Sequence, residues 1–330
     1  MVPAVSGTIL IVTHGRDDDH VARVSRELAR RGTAPVRLDT DRYPDEVEFT
    51  FAASETDAET AIGLPGRTLA GSEVVSILYR HRIIPRTPGI DDPQGRAMAE
   101  GELLALIDGT LLALPAFWVN HPAANRLAAH KPLQLALAAE AGFRLPPTRI
   151  TRDPAVVRQV YAEWGGEMVA KLVGGQVVEA PGEEAFVIYT SRIAEADLLD
   201  EAAIAACPAI YQRMVPKAGD VRVTVVGDRI FSCYIPAAAN GAAEVDWRRA
   251  WSGSSVVPYE IDDLTASRCR RLTRRLGLEV AGIDLLLTPS GDIVFLEVNA
   301  AGQWAWVEEA TGMPIAAAVA DRLLEGPGEQ

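Results

Sequence analysis

Thr8–Thr13 (TILIVT) is a short, β-branched apolar run followed by His14, Gly15 and three aspartates. Beyond it Val21, Val24, Leu28 and Ala29 recur at helical spacing, which predicts strand, loop and helix in that order. Residues 35–38, 47–51 and 74–79 read as further strands. Residues 94–114 read as a long, mostly apolar helix that stops before Pro115. A new unit begins near 120–125, where NHPAAN supplies turn and cap residues. The helix predicted over 131–141 ends at Gly142, with Pro146 and Pro147 beyond it. A helix over 154–164 follows, then strands over 168–173, 185–190 and 209–214, and helix and strand alternate to the end. This order predicts a small N-terminal α/β domain over 1–119 and a larger α+β domain over 120–330.

A chain of 330 residues, 48% of them hydrophobic, is long enough for two cores. Acidic residues outnumber basic ones 45 to 32, and a net charge of -13 repels phosphate backbones and anionic lipid. Nucleic acid is therefore not expected as a partner, nor is a membrane: no apolar stretch approaches the roughly 18 residues a bilayer span needs. Cys207, Cys233 and Cys269 form neither a zinc nor a disulfide pattern, and a reducing cytoplasm is the expected compartment. A homo-oligomer is compatible with the sequence.

The segment GIDLLLTPSGDIVFLEVNAAG carries the clearest chemistry. Two apolar runs flank Pro289-Ser290-Gly291-Asp292, which suits a hairpin turn. If Thr288 faces Ile293 across it, Asp284 lies opposite Glu297 and Asn299 shares their face. Opposed carboxylates repel unless a cation sits between them, and Asp, Glu and Asn are the hard oxygen donors Mg²⁺ accepts. An exposed, solvated acidic face is the plainer alternative. The chain has only three lysines, Lys131, Lys171 and Lys217. Lys171 ends an apolar strand before Gly174 and Gly175, where backbone can approach a phosphate and an ammonium can reach it. Lys131 opens a helix. Taken alone, either lysine reads as structural or solvated rather than functional. No Walker or dinucleotide-binding glycine motif is present. Arg222 interrupts the apolar run DVRVTVV, where a charge requires a partner or an anionic ligand, and Arg248 is a weaker case of the same kind.

Together, KPLQLALAAEAGFRLPPT, VAKLVGG, YQRMVP, DVRVTVVG and AGIDLL…FLEVNAAGQW resemble the ATP-grasp fold, in which two α+β subdomains clasp a nucleotide. The resemblance implies that Lys131 and Lys171 bind ATP, helped by Gly174 and Gly175, and that Gln212, Arg213 and Val215 line the adenine. It also implies that Arg222 contacts the transferred phosphoryl group and that Asp284, Glu297 and Asn299 hold Mg²⁺. More narrowly, ILIVTHGRDDDH, YRHRIIP, WVNHP and LEVNAAGQW are similar to the ATP-grasp maturases of ribosomal peptides of the microviridin (graspetide) type. The 1–119 region would then be a pre-ATP-grasp domain, and the substrate a precursor peptide with a leader and an acidic core. Asp or Glu side chains would be phosphorylated and closed onto Thr, Ser or Lys as ester or amide macrocycles. Arg80, Arg82 and Arg248 would lend local positive potential for the acidic peptide. A ligase joining amino acids to a metabolite or to a protein terminus is the alternative, with the same first half-reaction.

Overall fold

The structure, a computed structural model, describes residues 7–15, 17–80, 87, 89–174, 177–178, 186–237 and 256–326. The chain divides into two compact units, residues 1–122 with 314–330, and residues 123–313.

In the first unit β1 (Thr8–Thr13), α1 (Asp18–Arg30), β2 (Val36–Asp39), β3 (Glu48–Ala53), β4 (Ala58–Leu64), β5 (Arg67–Ala70), β6 (Val74–Tyr79), α2 (Pro93–Leu112) and β7 (Phe117–Val119) follow in order. A parallel sheet of order β2-β1-β6-β7 carries a core of Leu10, Val12, Leu38, Ile77 and Ile107. Its central strands, β1 and β6, are near-continuous apolar runs because such a sheet is covered on both faces. A separate antiparallel sheet, β3-β4-β5, contains two strands the hydrophobic pattern did not announce, since 58–70 mixes Glu, Thr, Gly and Arg on an exposed surface. Asp92 caps α2 by accepting from the Gly95 N–H at 2.7 Å, with Pro93 at the first helical position.

The closing helix, Ile315–Glu325, also packs in this unit. The Ser76 hydroxyl donates to the Leu323 carbonyl at 2.7 Å, Arg31 Nε pairs with Asp321 at 2.7 Å, and the Arg322 guanidinium lies 4.4 Å from the Phe117 ring centre. Chain order had placed this helix in the second domain. Its apolar side, Ile315, Val319 and Leu323, finds cover in the first.

Arg80, expected to offer positive potential to a peptide, is instead buried against Asp17, with Nε 3.1 Å from Oδ2. Thr13 Oγ1 donates to the same carboxylate at 2.9 Å, and His20 Nδ1 lies 3.3 Å from its other oxygen. Burial pushes the Asp17 carboxyl up, but the hydrogen bond from His20 and the charge and hydrogen bond of Arg80 outweigh it and hold it well below the usual carboxylate range. Burial pulls His20 below its ordinary 6.5, with Arg80 adding to the effect. A depressed histidine disfavours protonation when folded, so its stability contribution is lost as pH falls below 6.5, whereas that of Asp17 is intact above the ordinary carboxylate range and is lost progressively as pH falls below it. Melting temperature should therefore fall between pH 7 and pH 5, and His20→Gln should flatten that dependence in thermal melts. An unchanged slope would remove His20 from the effect.

The second unit contains α3 (Pro122–Ala128), α4 (Lys131–Glu140), β8 (Thr148–Thr151), α5 (Pro154–Glu163), β9 (Met168–Leu172), β10 (Val177–Val178), β11 (Phe186–Val187), β12 (Ser191–Arg192), α6 (Glu201–Ala206) and β13 (Ala209–Arg213). It continues with β14 (Gly219–Val226), β15 (Arg229–Pro236), β16 (Val257–Pro258), α7 (Asp263–Arg275), β17 (Val280–Leu287), β18 (Ile293–Asn299) and α8 (Ala305–Thr311). Of the strand expected over 185–190, Phe186–Val187 is formed, and Ala185 lies outside the described residues. One antiparallel sheet, β12-β9-β13-β8, encloses a small core with α5 through Val157, Val160, Trp164 and Tyr211. A larger one, β16-β15-β14-β17-β18, packs on α4 and α7 through Val221, Val223, Val225, Ile283, Leu285, Phe295 and Cys269. Because strand side chains alternate, the residues between those valines face the other way, and that face builds the site. Among the described residues no helix is long and apolar enough to cross a membrane.

Candidate active site

The β17–β18 hairpin brings Asp284 opposite Glu297, though not by the expected register. The turn closes one residue tighter: the Thr288 N–H donates to the Asp292 carbonyl at 2.9 Å, and Leu287 rather than Thr288 pairs with Ile293. Phe295 then faces Leu285, and the next pair is Glu297 with Asp284, so Leu296 is an extra residue on β18. That β-bulge shifts the remaining strand by one and turns Glu297 and Asn299 onto the Asp284 face.

The cation that opposed carboxylates require is supplied by the chain itself. Arg222, paired with Asp284 across β14 and β17, donates from Nη1 to both carboxylate oxygens at 2.9 and 3.0 Å. Lys131 Nζ lies 2.6 Å from Glu297 Oε2. Asn299 Nδ2 donates to Asp284 at 2.7 Å and to Glu297 at 3.3 Å. The Arg222 side chain is 7% exposed, against 18% for that of Asp284, and Arg222 Nε is buried without a hydrogen-bond partner among the described residues. Glycines make room for it: a Cβ on Gly282 would lie 2.1 Å from Arg222 Nη2, and one on Gly302 2.8 Å from the Gly282 nitrogen. Burial pushes the thiol of Cys233, the β15 neighbour of Arg222, up to about 12, so it stays protonated and unreactive.

This face lines a cavity of about 640 Å³ within the second unit. Lys131, Lys171, Gly174, Gln212, Arg222, Asp284, Glu297 and Asn299 all contribute to its wall. Gln212 is buried, with Nε2 3.0 Å from Thr148 Oγ1. Arg213, the next residue on β13, points to the opposite, exposed side, and neither it nor the half-buried Val215 is among the lining residues. Gly175, Arg82 and Arg248 lie outside the described residues. Several lining residues escaped the sequence reading, Asp220 and Gln134 among them. Asp220, held by Lys217 Nζ at 2.7 Å, stands two positions before Arg222 on β14, and strand alternation could have revealed it. Gln134, deep in α4, gave no comparable signal.

Among the described residues no group of three or more His, Cys, Asp or Glu side chains is placed to hold a metal. The hairpin instead offers two carboxylates and an amide oxygen. That donor set suits Mg²⁺, which takes one or two protein carboxylates and completes its shell with waters and nucleotide phosphates.

Residues 128–323 match the RimK-like ATP-grasp domain family, and residues 8–126 match the MvdD pre-ATP grasp domain family. The chain belongs to the RimK-like ATP-grasp family. It is an ATP-grasp ligase, and the ligases of this family bind ATP and magnesium. A probable alpha-L-glutamate ligase of Klebsiella pneumoniae is 31% identical to this ATP-grasp ligase over 245 residues, 73% of this chain and 78% of that protein. The macrocyclase MdnC of Microcystis aeruginosa, solved bound with precursor peptide MdnA, is 29% identical with a TM-score of 0.86 over 96% of this chain and 99% of its own. A Chryseobacterium gregarium RiPP-associated ATP-grasp ligase, solved with ADP and a leader and core peptide, shares the fold at a TM-score of 0.89, 24% identity and 97% coverage of each chain.

Proposed function

We propose that this ligase phosphorylates Asp or Glu side chains of a ribosomally made precursor peptide and closes them onto Thr, Ser or Lys as side-chain esters or amides. The observation that carries the reading is the cavity in which Arg222 and Lys131 pair with the opposed Asp284 and Glu297 and Lys171 lines the same wall. Likeness to MdnC across both units favours the peptide substrate over a free metabolite.

A carboxylate is a poor electrophile because its charge is delocalised and oxide is a poor leaving group. Attack of a substrate carboxylate oxygen on the γ-phosphorus of ATP forms a C–O–P bond, breaks the bond to the bridging oxygen and releases ADP. A hydroxyl or amine of the same peptide then adds to the acyl carbon, loses its proton and expels phosphate. Asp284, Glu297 and Asn299 would hold Mg²⁺, which when bound neutralises phosphate charge and acts as a Lewis acid. Lys171 and Lys131 would bind the nucleotide phosphates, with Gly174 and Gly175 allowing close backbone approach and Gln212 forming the adenine side. Arg222 would offset charge developing on the transferred phosphoryl group, and Arg248 would assist it. Holding the two peptide side chains together accounts for much of the rate of the second step.

With ATP and Mg²⁺, such a peptide should lose one water per bond, which mass spectrometry reads directly. Hydroxylamine added during turnover should trap the acyl phosphate as a hydroxamate on an acidic side chain. The glutamate-ligase relatives support a second reading, in which the acceptor gains the mass of an added amino acid. That result would sink the macrocyclase.

A further inference from the structure

β18 is the edge strand of its sheet, so alternate backbone groups along it face away from β17 and need partners elsewhere. Two parts of the α4 region supply them. The Phe295 N–H donates to the Arg144 carbonyl at 2.9 Å. Val298, which lies between Glu297 and Asn299, is paired by the Gln134 side chain. Gln134 Oε1 accepts from the Val298 N–H at 2.9 Å, and Nε2 donates to the Val298 carbonyl at 2.9 Å and also to the Ala128 carbonyl. Gln134 is 1% exposed, and its amide takes the place a neighbouring strand's peptide group would occupy. One turn earlier on the same helix, Lys131 holds the Glu297 side chain. The grip falls two residues past the Leu296 bulge, the segment whose backbone sets where Glu297 and Asn299 point.

We propose that Gln134 is a positioning residue for the metal ligands: it fixes the β18 backbone between Glu297 and Asn299 so that both face Asp284. The proposal rests on reading those three residues as the Mg²⁺ ligands. Without the Gln134 amide, the Val298 N–H and C=O are buried and unpaired, and the strand relieves that cost by shifting. Partners that orient ligands in this way typically influence metal affinity by about 10–100-fold.

The test uses the full chain and Mn²⁺ as a spectroscopic probe. Mn²⁺ is titrated by electron paramagnetic resonance with ADP present, and ADP alone is titrated by calorimetry without metal. Gln134→Met, of similar size but without the amide, should weaken Mn²⁺ binding by about 10–100-fold, with a much smaller change in metal-free ADP affinity. Glu297→Ala serves as the reference for loss of a ligand. If Glu297→Ala binds Mn²⁺ as the wild type does, the metal reading itself fails. If Glu297→Ala loses Mn²⁺ and Gln134→Met does not, the positioning role alone fails. Equal losses of ADP and Mn²⁺ in Gln134→Met would mark general damage to the fold and overturn it too. Should Gln134→Met not fold, Gln134→Asn, which keeps the amide but withdraws it by one methylene, is expected to show the same metal-specific loss and is judged by the same outcomes.

Discussion

Asp284→Ala should abolish ATP turnover and lower the melting temperature. The first effect follows from the proposed role of Asp284 as a Mg²⁺ ligand, and the second from its partner. Arg222 is almost wholly buried, and its Nη1 bonds at 2.9 and 3.0 Å both end on Asp284. Removing the carboxylate strands a desolvated guanidinium. Breaking a buried ion pair from one side costs roughly 3–5 kcal/mol, and the partial exposure of Asp284 argues for the lower end. At about 2–4 °C per kcal/mol for a unit of this size, the fall is on the order of 6–12 °C. Asp284→Asn retains an acceptor for Arg222 and should melt closer to wild type while still losing turnover. Paired calorimetric melts and ADP-release assays check both effects. Wild-type turnover in Asp284→Ala would remove the residue from the chemistry, and an unchanged melting temperature would show the pair contributes nothing to stability.

Sequence alone points to the opposite sign for stability, and the reason shows where its reach ended. Opposed carboxylates on a hairpin were legible from the Pro-Ser-Gly-Asp turn and the alternation around it, and their repulsion argued that deleting one would help. The turn is in fact tighter, and Asp284 meets Glu297 only because Leu296 bulges, a compensation that no residue type advertises. Arg222 was visible as a charge among valines, but its partner was not, because strand order β14-β17-β18 is a long-range fact. Lys131 and Gln134 bond to residues more than 160 positions away, and a glutamine in an apolar helix looks like any surface-facing one. The closing helix illustrates the same limit: chain order put it with the second domain, whereas its buried apolar residues belong to the first unit. Local pattern thus recovered most of the elements, β4 and β5 excepted, and pointed to residues with obvious chemistry. The network joining them depends on pairings made only when the chain has folded.

Gly282→Ala is expected to act at the site through that network, without touching a carboxylate. Gly282 lies on β17 between Thr224 of β14 and Asn299 of β18, and it is not among the glycines with positive φ, so the backbone itself accepts alanine. The added methyl does not fit: it would sit 2.1 Å from Arg222 Nη2, 2.4 Å from Cζ and 3.0 Å from Nε. A side-chain end can often swing aside, but this one is enclosed and tied to Asp284, so it yields only by giving up those bonds. With Arg222 displaced, the charge it offers a transferred phosphoryl group is lost. Removing one preorganised donor of that kind costs about 10²–10³ in kcat. Melting temperature should fall as well, because the Arg222–Asp284 bonds are lost. A double-mutant cycle with Arg222→Gln decides whether the effect runs through the arginine. If it does, adding Gly282→Ala to Arg222→Gln changes kcat little. Fully additive losses would show that the methyl acts elsewhere and that the close approach of Gly282 to Arg222 has no bearing on turnover.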